Sequence, residues 1–244
     1  MTRIAAILPA AGLGTRMGEH KPKQFLDLDG MPLVIFTLRR LAACAEISEF
    51  LIATLAEEKD ALTKRLAQET FDRPVRVVVG GGTRQESVGK ALAEISRDVE
   101  IVLVHDAVRP MITREQTERA IAAAREHGAA IVGIPALDTV KEVKRTSVPG
   151  DVALITATIP RERIVLAQTP QVFRAKLLRD AYELAARDGI SASDEAGLVE
   201  RLGHDVYVVA GSARNLKVTR PGDMELARFY LEQERKTLRD ERKH

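Results

Sequence analysis

Four segments carry residue types that together suit the chemistry of a nucleoside triphosphate. The first is Leu8 to Gln24, LPAAGLGTRMGEHKPKQ. It sheds side chains at Ala10, Ala11, Gly12 and Gly14, then carries positive charge at Arg16, Lys21 and Lys23. Small residues at the end of a strand let main-chain N–H groups approach a ligand closely, and phosphate oxygens suit such donors. Arginine and lysine add charge that amides cannot supply. Neither commoner phosphate loop is present. Five residues after Gly12 and Gly14 stand Met17 and Glu19, where a P-loop needs its second glycine. A dinucleotide fingerprint would need glycine at Met17, and Gly18 comes one residue late.

The second segment, Gly80-Gly81-Gly82-Thr83-Arg84-Gln85-Glu86-Ser87, is a glycine run entering a helix. Alone it reads equally as a flexible turn or as backbone open to a ligand. The third, Val102 to Pro110, puts Asp106 just past an apolar strand. That position suits a divalent cation, since Mg2+ takes a few carboxylates and fills its shell with substrate phosphates. It suits a turn or cap equally well. In the fourth, Asn215 to Pro221, Lys217 interrupts a strand-like run and by itself is an ordinary surface lysine.

The elements that must position these residues alternate through the first half. Ile4–Leu8, Phe50–Thr54, Val75–Val79 and Ile101–Val104 read as strands, and Pro32–Ala43, Glu57–Gln68, Arg84–Ile95 and Arg114–His127 as helices. Pro32 suits a first helical turn, and Thr113 suits a helix cap, with Gln116 three residues on. Strands apolar on both faces, joined by helices, predict an α/β fold with a Rossmann-like, mostly parallel sheet flanked by helices. Ligands then bind beyond the carboxyl ends of the strands, where the first three segments lie. After Pro135 the rhythm breaks. Asp138–Thr158 alternates around Pro149-Gly150 and reads as a β-hairpin with no helix to cover it. It either protrudes as an arm that pairs with another subunit or folds back on its own domain. Further on, Lys176–Arg187 and Asp194–Leu202 read as helices, the second capped by Ser193. Val206–Val209 and Asn215–Val218 read as strands, and Gly222 to about Lys236 as a last helix. A charged tail at about 237–244 is expected to be solvated or frayed.

The 244 residues fit a single domain, with the arm at about 138–158. A net charge of +2 is too small to argue for nucleic acid or a membrane surface. The single cysteine, Cys44, excludes an intrachain disulfide framework and reads as a small core residue in a reducing compartment. The N-terminal apolar run ends at Pro9, too short for a secretory signal, and no stretch reaches the length of a membrane span. A soluble cytoplasmic protein is expected.

LPAAGLGTRMG with KPKQF, GGG-x-x-x-x-SV, LVHDAVRP, DTVK, TPQVF, SDEA and NLKVTRP run in order from Ile4 to about Tyr230. They resemble the signatures of the 2-C-methyl-D-erythritol 4-phosphate cytidylyltransferase family, within the nucleotide-sugar pyrophosphorylase-like superfamily. The opening motif alone resembles only the superfamily. VHDAVRP with NLKVTRP is more specific, although ribitol-5-phosphate cytidylyltransferases share much of it. The resemblance implies that CTP and methylerythritol phosphate are joined with Mg2+, giving the CDP-alcohol and pyrophosphate in non-mevalonate isoprenoid biosynthesis. It implies that Arg16 and Lys23 stabilise the transition state and that Lys217 reaches the phosphates. Ala10, Ala11, Gly12, Leu13 and Gly14 would cradle the triphosphate. Gly81, Gly82 and Ser87 would meet cytosine and ribose, with Ala107 beside the nucleotide. Asp106 would hold the metal and meet the acceptor, Arg109 and Thr169 would contact the acceptor, and Thr139 and Arg161 would come from the partner's arm in a homodimer. Gly82 stands where some relatives carry Asp, and Thr15 where some carry a second basic residue. A fused next pathway enzyme, present in some organisms, is not expected. Rival expectations are a ribitol-5-phosphate or other polyol-phosphate cytidylyltransferase, a sugar-1-phosphate nucleotidyltransferase, and a non-catalytic nucleotide sensor.

Overall fold

A computed structural model describes residues 2–12, 22–145 and 153–241. Leu13, Gly14, Thr15, Arg16, Lys21 and the Pro149-Gly150 turn lie outside the described residues.

Seven strands form the central sheet. The four expected from the first half are β1 (Ile4–Ala10), β4 (Glu49–Thr54), β5 (Val75–Val79) and β6 (Ile101–Val104). They are joined by β7 (Ala129–Pro135), β10 (Val165–Arg174) and β11 (Tyr207–Ala210), in the order β11-β7-β10-β6-β1-β4-β5. Every neighbouring pair is parallel except those made by β10, which runs antiparallel to both β6 and β7. Alternation along β1 divides the core. Ile4, Ala6, Leu8 and Ala10 pack with α1 (Leu33–Ala42), α2 (Lys59–Leu66) and α4 (Arg114–His127) on one face. Ala5 and Ile7 pack with α3 (Arg84–Glu94), α5 (Ala175–Asp188) and α6 (Glu195–Arg201) on the other. Period-two side chains buried on both faces are what a helix-covered parallel sheet requires. Cys44 lies in the first of these layers, where burial pushes its thiol pKa up. No helix among the described residues is long and apolar enough to cross a membrane.

Local chemistry corrects several boundaries. Pro32 ends the small hairpin β2 (Asp27–Leu28) and β3 (Met31–Pro32) with a non-helical backbone, so α1 begins one residue later. Thr113 and Gln116 do form the capping box of α4. Asp194, not Ser193, caps α6, because its carboxylate accepts from the Gly197 N–H at 3.1 Å. The expected tail is helical as far as Glu241, in α7 (Pro221–Glu241), where Arg40 pairs with Glu234 and Arg235 with Asp29. Asn215–Val218 is not a strand; side-chain bonds described below hold it instead. The hairpin is present as β8 (Val140–Arg145) paired antiparallel with β9 (Ala153–Ile159), in a sheet of its own.

Candidate active site

Two cavities open beyond the carboxyl ends of β1, β5 and β6. The first, about 260 Å³, is lined by Ala10, Ala11, Gly12, Lys23, Gly82 and Ser87 among others. The second, about 210 Å³, is lined by Arg109, Thr169, Gln168 and Ser193 among others. Arg84, Asp106 and Lys217 line both and form their common wall. Sequence segments far apart along the chain therefore meet in one place.

Gln24 fixes the floor of the first cavity. It is buried, and its Nε2 donates to the Ala10 carbonyl at 2.6 Å and the Gly12 carbonyl at 3.1 Å. The glycine run is held as closely. Gly81 N–H donates to Ser87 Oγ at 3.0 Å, Gly82 N–H to Glu86 Oε2 at 2.8 Å, and Thr83 caps α3 by accepting from Glu86 N–H. A Cβ at Gly80 would come within 2.6 Å of Ala11 Cβ, and one at Gly81 would collide with Glu86 Cβ. At Gly82 the nearest such atom is Glu86 Oε2 at 3.6 Å, so that position has room for a side chain.

Asp106 is the centre of charge. Its Oδ1 accepts from Arg84 Nε at 3.1 Å, and its Oδ2 from Arg109 Nε at 3.2 Å and from Lys217 Nζ at 3.0 Å. Burial pushes its pKa up, but the Arg84, Lys217 and Arg109 charges outweigh burial and hold the carboxyl far below the usual carboxylate range. Arg84 reaches further, with Nη1 donating to both oxygens of Glu195 at 2.8 and 2.9 Å. Burial would lower the Arg84 pKa, yet the Glu195 and Asp106 charges raise it, so the guanidinium stays charged.

His105 and Thr169 set the direction of Asp106. The Arg109 carbonyl can only accept, so His105 Nε2, 3.1 Å away, carries the proton and donates to it. Nδ1 then accepts from Thr169 Oγ at 3.0 Å, and that hydroxyl in turn accepts from Asp106 N–H at 3.0 Å. Burial depresses the His105 pKa to about 4, so the ring is neutral and both its nitrogens are engaged. A register shift in β10 between Ala167 and Gln171 brings Thr169 to this point, as bulges beside sites often do. Asn215 secures the last segment. Its Nδ2 donates to the Thr169 carbonyl at 2.8 Å and to Gln168 Oε1 at 3.2 Å, its own carbonyl accepts from Arg109 Nη1, and Val218 N–H donates to the Val108 carbonyl. Lys217 is thus held between two anchored residues and turned toward Asp106.

Four of the expected residues that the structure describes line neither cavity. Gly81 lies behind Gly82, its N–H turned to Ser87. Ala107 is buried beneath, with its carbonyl accepting from Thr37 Oγ at 2.9 Å. Thr139 and Arg161 sit exposed at the base of the arm, where Arg161 Nη1 donates to the Leu137 carbonyl at 2.6 Å. Conversely, Arg84, Glu195 and Gln24 were not singled out from the sequence, although the glycine run, SDEA and KPKQF contain them. Among the described residues no group of three or more His, Cys, Asp or Glu side chains could hold a metal.

The family model described as 2-C-methyl-D-erythritol 4-phosphate cytidylyltransferase matches residues 4–233. A relative of that name from Acidobacterium capsulatum is 52% identical over 237 residues, covering 95% of this chain and 98% of its own. Another from Solibacter usitatus is 48% identical, covering 95% and 97%. The crystal structure of 2-C-methyl-D-erythritol 4-phosphate cytidylyltransferase from Thermus thermophilus superposes with a TM-score of 0.74 at 35% identity, covering 94% of this chain and 98% of that one. With Arg84, Arg109 and Lys217 gathered from distant motifs around one buried carboxylate and its likeness running almost end to end, the chain belongs to the 2-C-methyl-D-erythritol 4-phosphate cytidylyltransferase family.

Proposed function

We propose that this chain, as a single nucleotidyltransferase domain acting in the cytoplasm, transfers the cytidylyl group of CTP to 2-C-methyl-D-erythritol 4-phosphate and releases pyrophosphate. The observation that carries the reading is the common wall, where Arg84, Arg109 and Lys217 surround Asp106 between two cavities. In this reading CTP takes the cavity lined by Ala10, Ala11 and Gly12, and the acceptor the one lined by Arg109 and Thr169. An oxygen of the acceptor phosphate attacks the α-phosphorus, and the bond from that phosphorus to the bridging oxygen of pyrophosphate breaks. The attacking oxygen is already ionised, so no general base is required. That agrees with a neutral His105 whose nitrogens are both occupied. Catalysis then rests on positioning and on fixed positive charge. Lys217 and Arg109 hold the acceptor phosphate close to the wall, while Lys23 and Arg16 stabilise charge on the phosphorus and the departing pyrophosphate. Replacing Lys23 or Arg16 by Ala should slow turnover by about 10²-fold.

The donor set suits Mg2+ that arrives on the triphosphate and not as a free ion. Asp106 offers one carboxylate, already shared by three cations, and Mg2+ needs phosphates and waters to complete its shell. Bound there, the ion would neutralise phosphate oxygens. The arm serves a homodimer in this reading, with Thr139 and Arg161 completing the neighbour's acceptor cavity.

Pyrophosphate release from CTP and Mg2+ tests the proposal, with 2-C-methyl-D-erythritol 4-phosphate and ribitol 5-phosphate compared as acceptors. The expected result is a kcat/KM at least about 10²-fold higher for the former, abolished by a chelator. No release, or a preference for ribitol 5-phosphate, would overturn it.

A further inference from the structure

Glu195 is an expensive residue to place beside this site. It is 1% exposed, and a buried carboxylate is costly unless paired and hydrogen-bonded. It is fully engaged: Arg84 Nη1 donates to both oxygens, the Tyr182 hydroxyl donates to Oε1 at 3.1 Å, and the Glu195 N–H donates to Gln171 Oε1 at 3.1 Å. A buried ion pair gives little stability over apolar residues of the same volume. Stability alone therefore does not account for it.

Its effect falls on Arg84, which stands in the first turn of α3 and lines both cavities. A guanidinium at the edge of a triphosphate cavity has a strong alternative partner, because phosphate oxygens accept from it in pairs. Glu195 holds Nη1 back, and Tyr182 fixes Glu195 from α5. The remaining edge of Arg84 is left facing Asp106, with Nε at 3.1 Å from Oδ1.

We propose that Glu195, braced by Tyr182, is a positioning residue that clamps Arg84 against Asp106 and withholds it from the nucleotide phosphates. The clamp rests on the cytidylyl-transfer reading above. Its benefit is kinetic. Tighter ground-state binding of the triphosphate does not lower the barrier, whereas a fixed charge on the common wall does.

Glu195→Gln keeps the shape and one acceptor oxygen but removes the charge. Arg84 is then free to turn toward the triphosphate. In calorimetric titration without acceptor, CTP with Mg2+ should bind about tenfold tighter, while kcat falls about tenfold. Tyr182→Phe should move both quantities in the same directions by about threefold. Adding Arg84→Gln to Glu195→Gln should abolish the gain in CTP affinity, since the released cation is gone. A merely structural role would weaken binding and turnover together and lower the melting temperature. That pattern, or an unchanged CTP affinity in Glu195→Gln, overturns the clamp. If the unmodified protein neither binds CTP nor releases pyrophosphate, the functional reading fails and the clamp with it; if it does both while Glu195→Gln is unresponsive, the clamp alone fails.

Discussion

The common wall and the β8–β9 arm meet unfavourable groups in opposite ways. At the wall, Asp106, Glu195, His105 and Asn215 are all buried, and bonds within the chain answer nearly all of their polar atoms. Asn215 Oδ1 is the one buried side-chain atom of these four residues without a hydrogen-bond partner. In the arm, Val143, Leu154 and Ile155 are 48%, 61% and 57% exposed, and among the described residues β8 and β9 pair only with each other. Buried polarity is resolved inside the chain, whereas the arm's apolar surface stays exposed. In the reading proposed above, the charged wall comes from one subunit and the arm completes the site of another.

The sharpest way to break the wall is Asp106→Ala, which leaves three cations facing one another without their shared anion. Turnover should fall by about 10³-fold and stability by about 3 kcal/mol. Steady-state kinetics and thermal melting read the two effects, and a loss smaller than tenfold in turnover would remove Asp106 from the centre of the site.

Next in size is acid sensitivity. Burial lowers the folded pKa of His105 to about 4, against 6.5 ordinarily, outweighing the hydrogen bond to the Arg109 carbonyl and the Asp106 charge, which pull it up. Between those values the unfolded chain takes up a proton that the folded chain refuses. The part of the stability that rests on a neutral His105 should therefore fall as pH drops from 6.5 toward 4, by at most about 3 kcal/mol, and below that the depressed carboxyl of Asp106 carries the loss further. Denaturant midpoints measured without nucleotide or divalent cation would show the slope, and His105→Asn should flatten it. A slope unchanged by that substitution would assign the proton elsewhere.

Glycines give a smaller and more local contrast. Gly81→Ala forces Cβ against Glu86 and should cost about 2 kcal/mol, while Gly82→Ala should stay within about 0.5 kcal/mol. Paired melting curves decide, and equal losses would refute the difference. The least effect on the chain's own folding is expected in the arm. Leu154→Asp with Ile155→Asp should shift sedimentation from dimer to monomer and lower turnover, with subunit stability moving by no more than about 0.5 kcal/mol. A monomeric starting protein, or a fully active monomer, would detach the arm from the site.

What could be read along the chain was whatever announced itself locally. β1, β4, β5 and β6 are runs of apolar residues, and the Thr113–Gln116 cap is written within four positions. β10 was not legible as a strand, because Gln168, Thr169 and Gln171 interrupt it with polar groups that are buried only where Asn215, Asp106, His105 and Asp194 meet them. β7 follows α4 through a single glycine and contains Gly133, so it carried no separate signal. Asn215–Val218 looked like a strand because its apolar residues alternate, but Asn215 is an anchor for β10, not a rung of a ladder. The motifs gave Asp106, Arg109 and Lys217. Arg84 and Glu195 lie 111 positions apart, and nothing in either segment points to the other.

A wall shared by two cavities also limits how such an enzyme can change. In our reading a substitution at Arg84, Asp106 or Lys217, which line both cavities, would be felt by both substrates at once, so neither preference could drift there without disturbing the other. Ser193, on the acceptor side, and Gly82, on the nucleotide side, escape that constraint in this reading, whereas Gln168 and Ser87 are tied to Asn215 and Gly81. New acceptor choices should therefore arise by repainting one room while the partition stands.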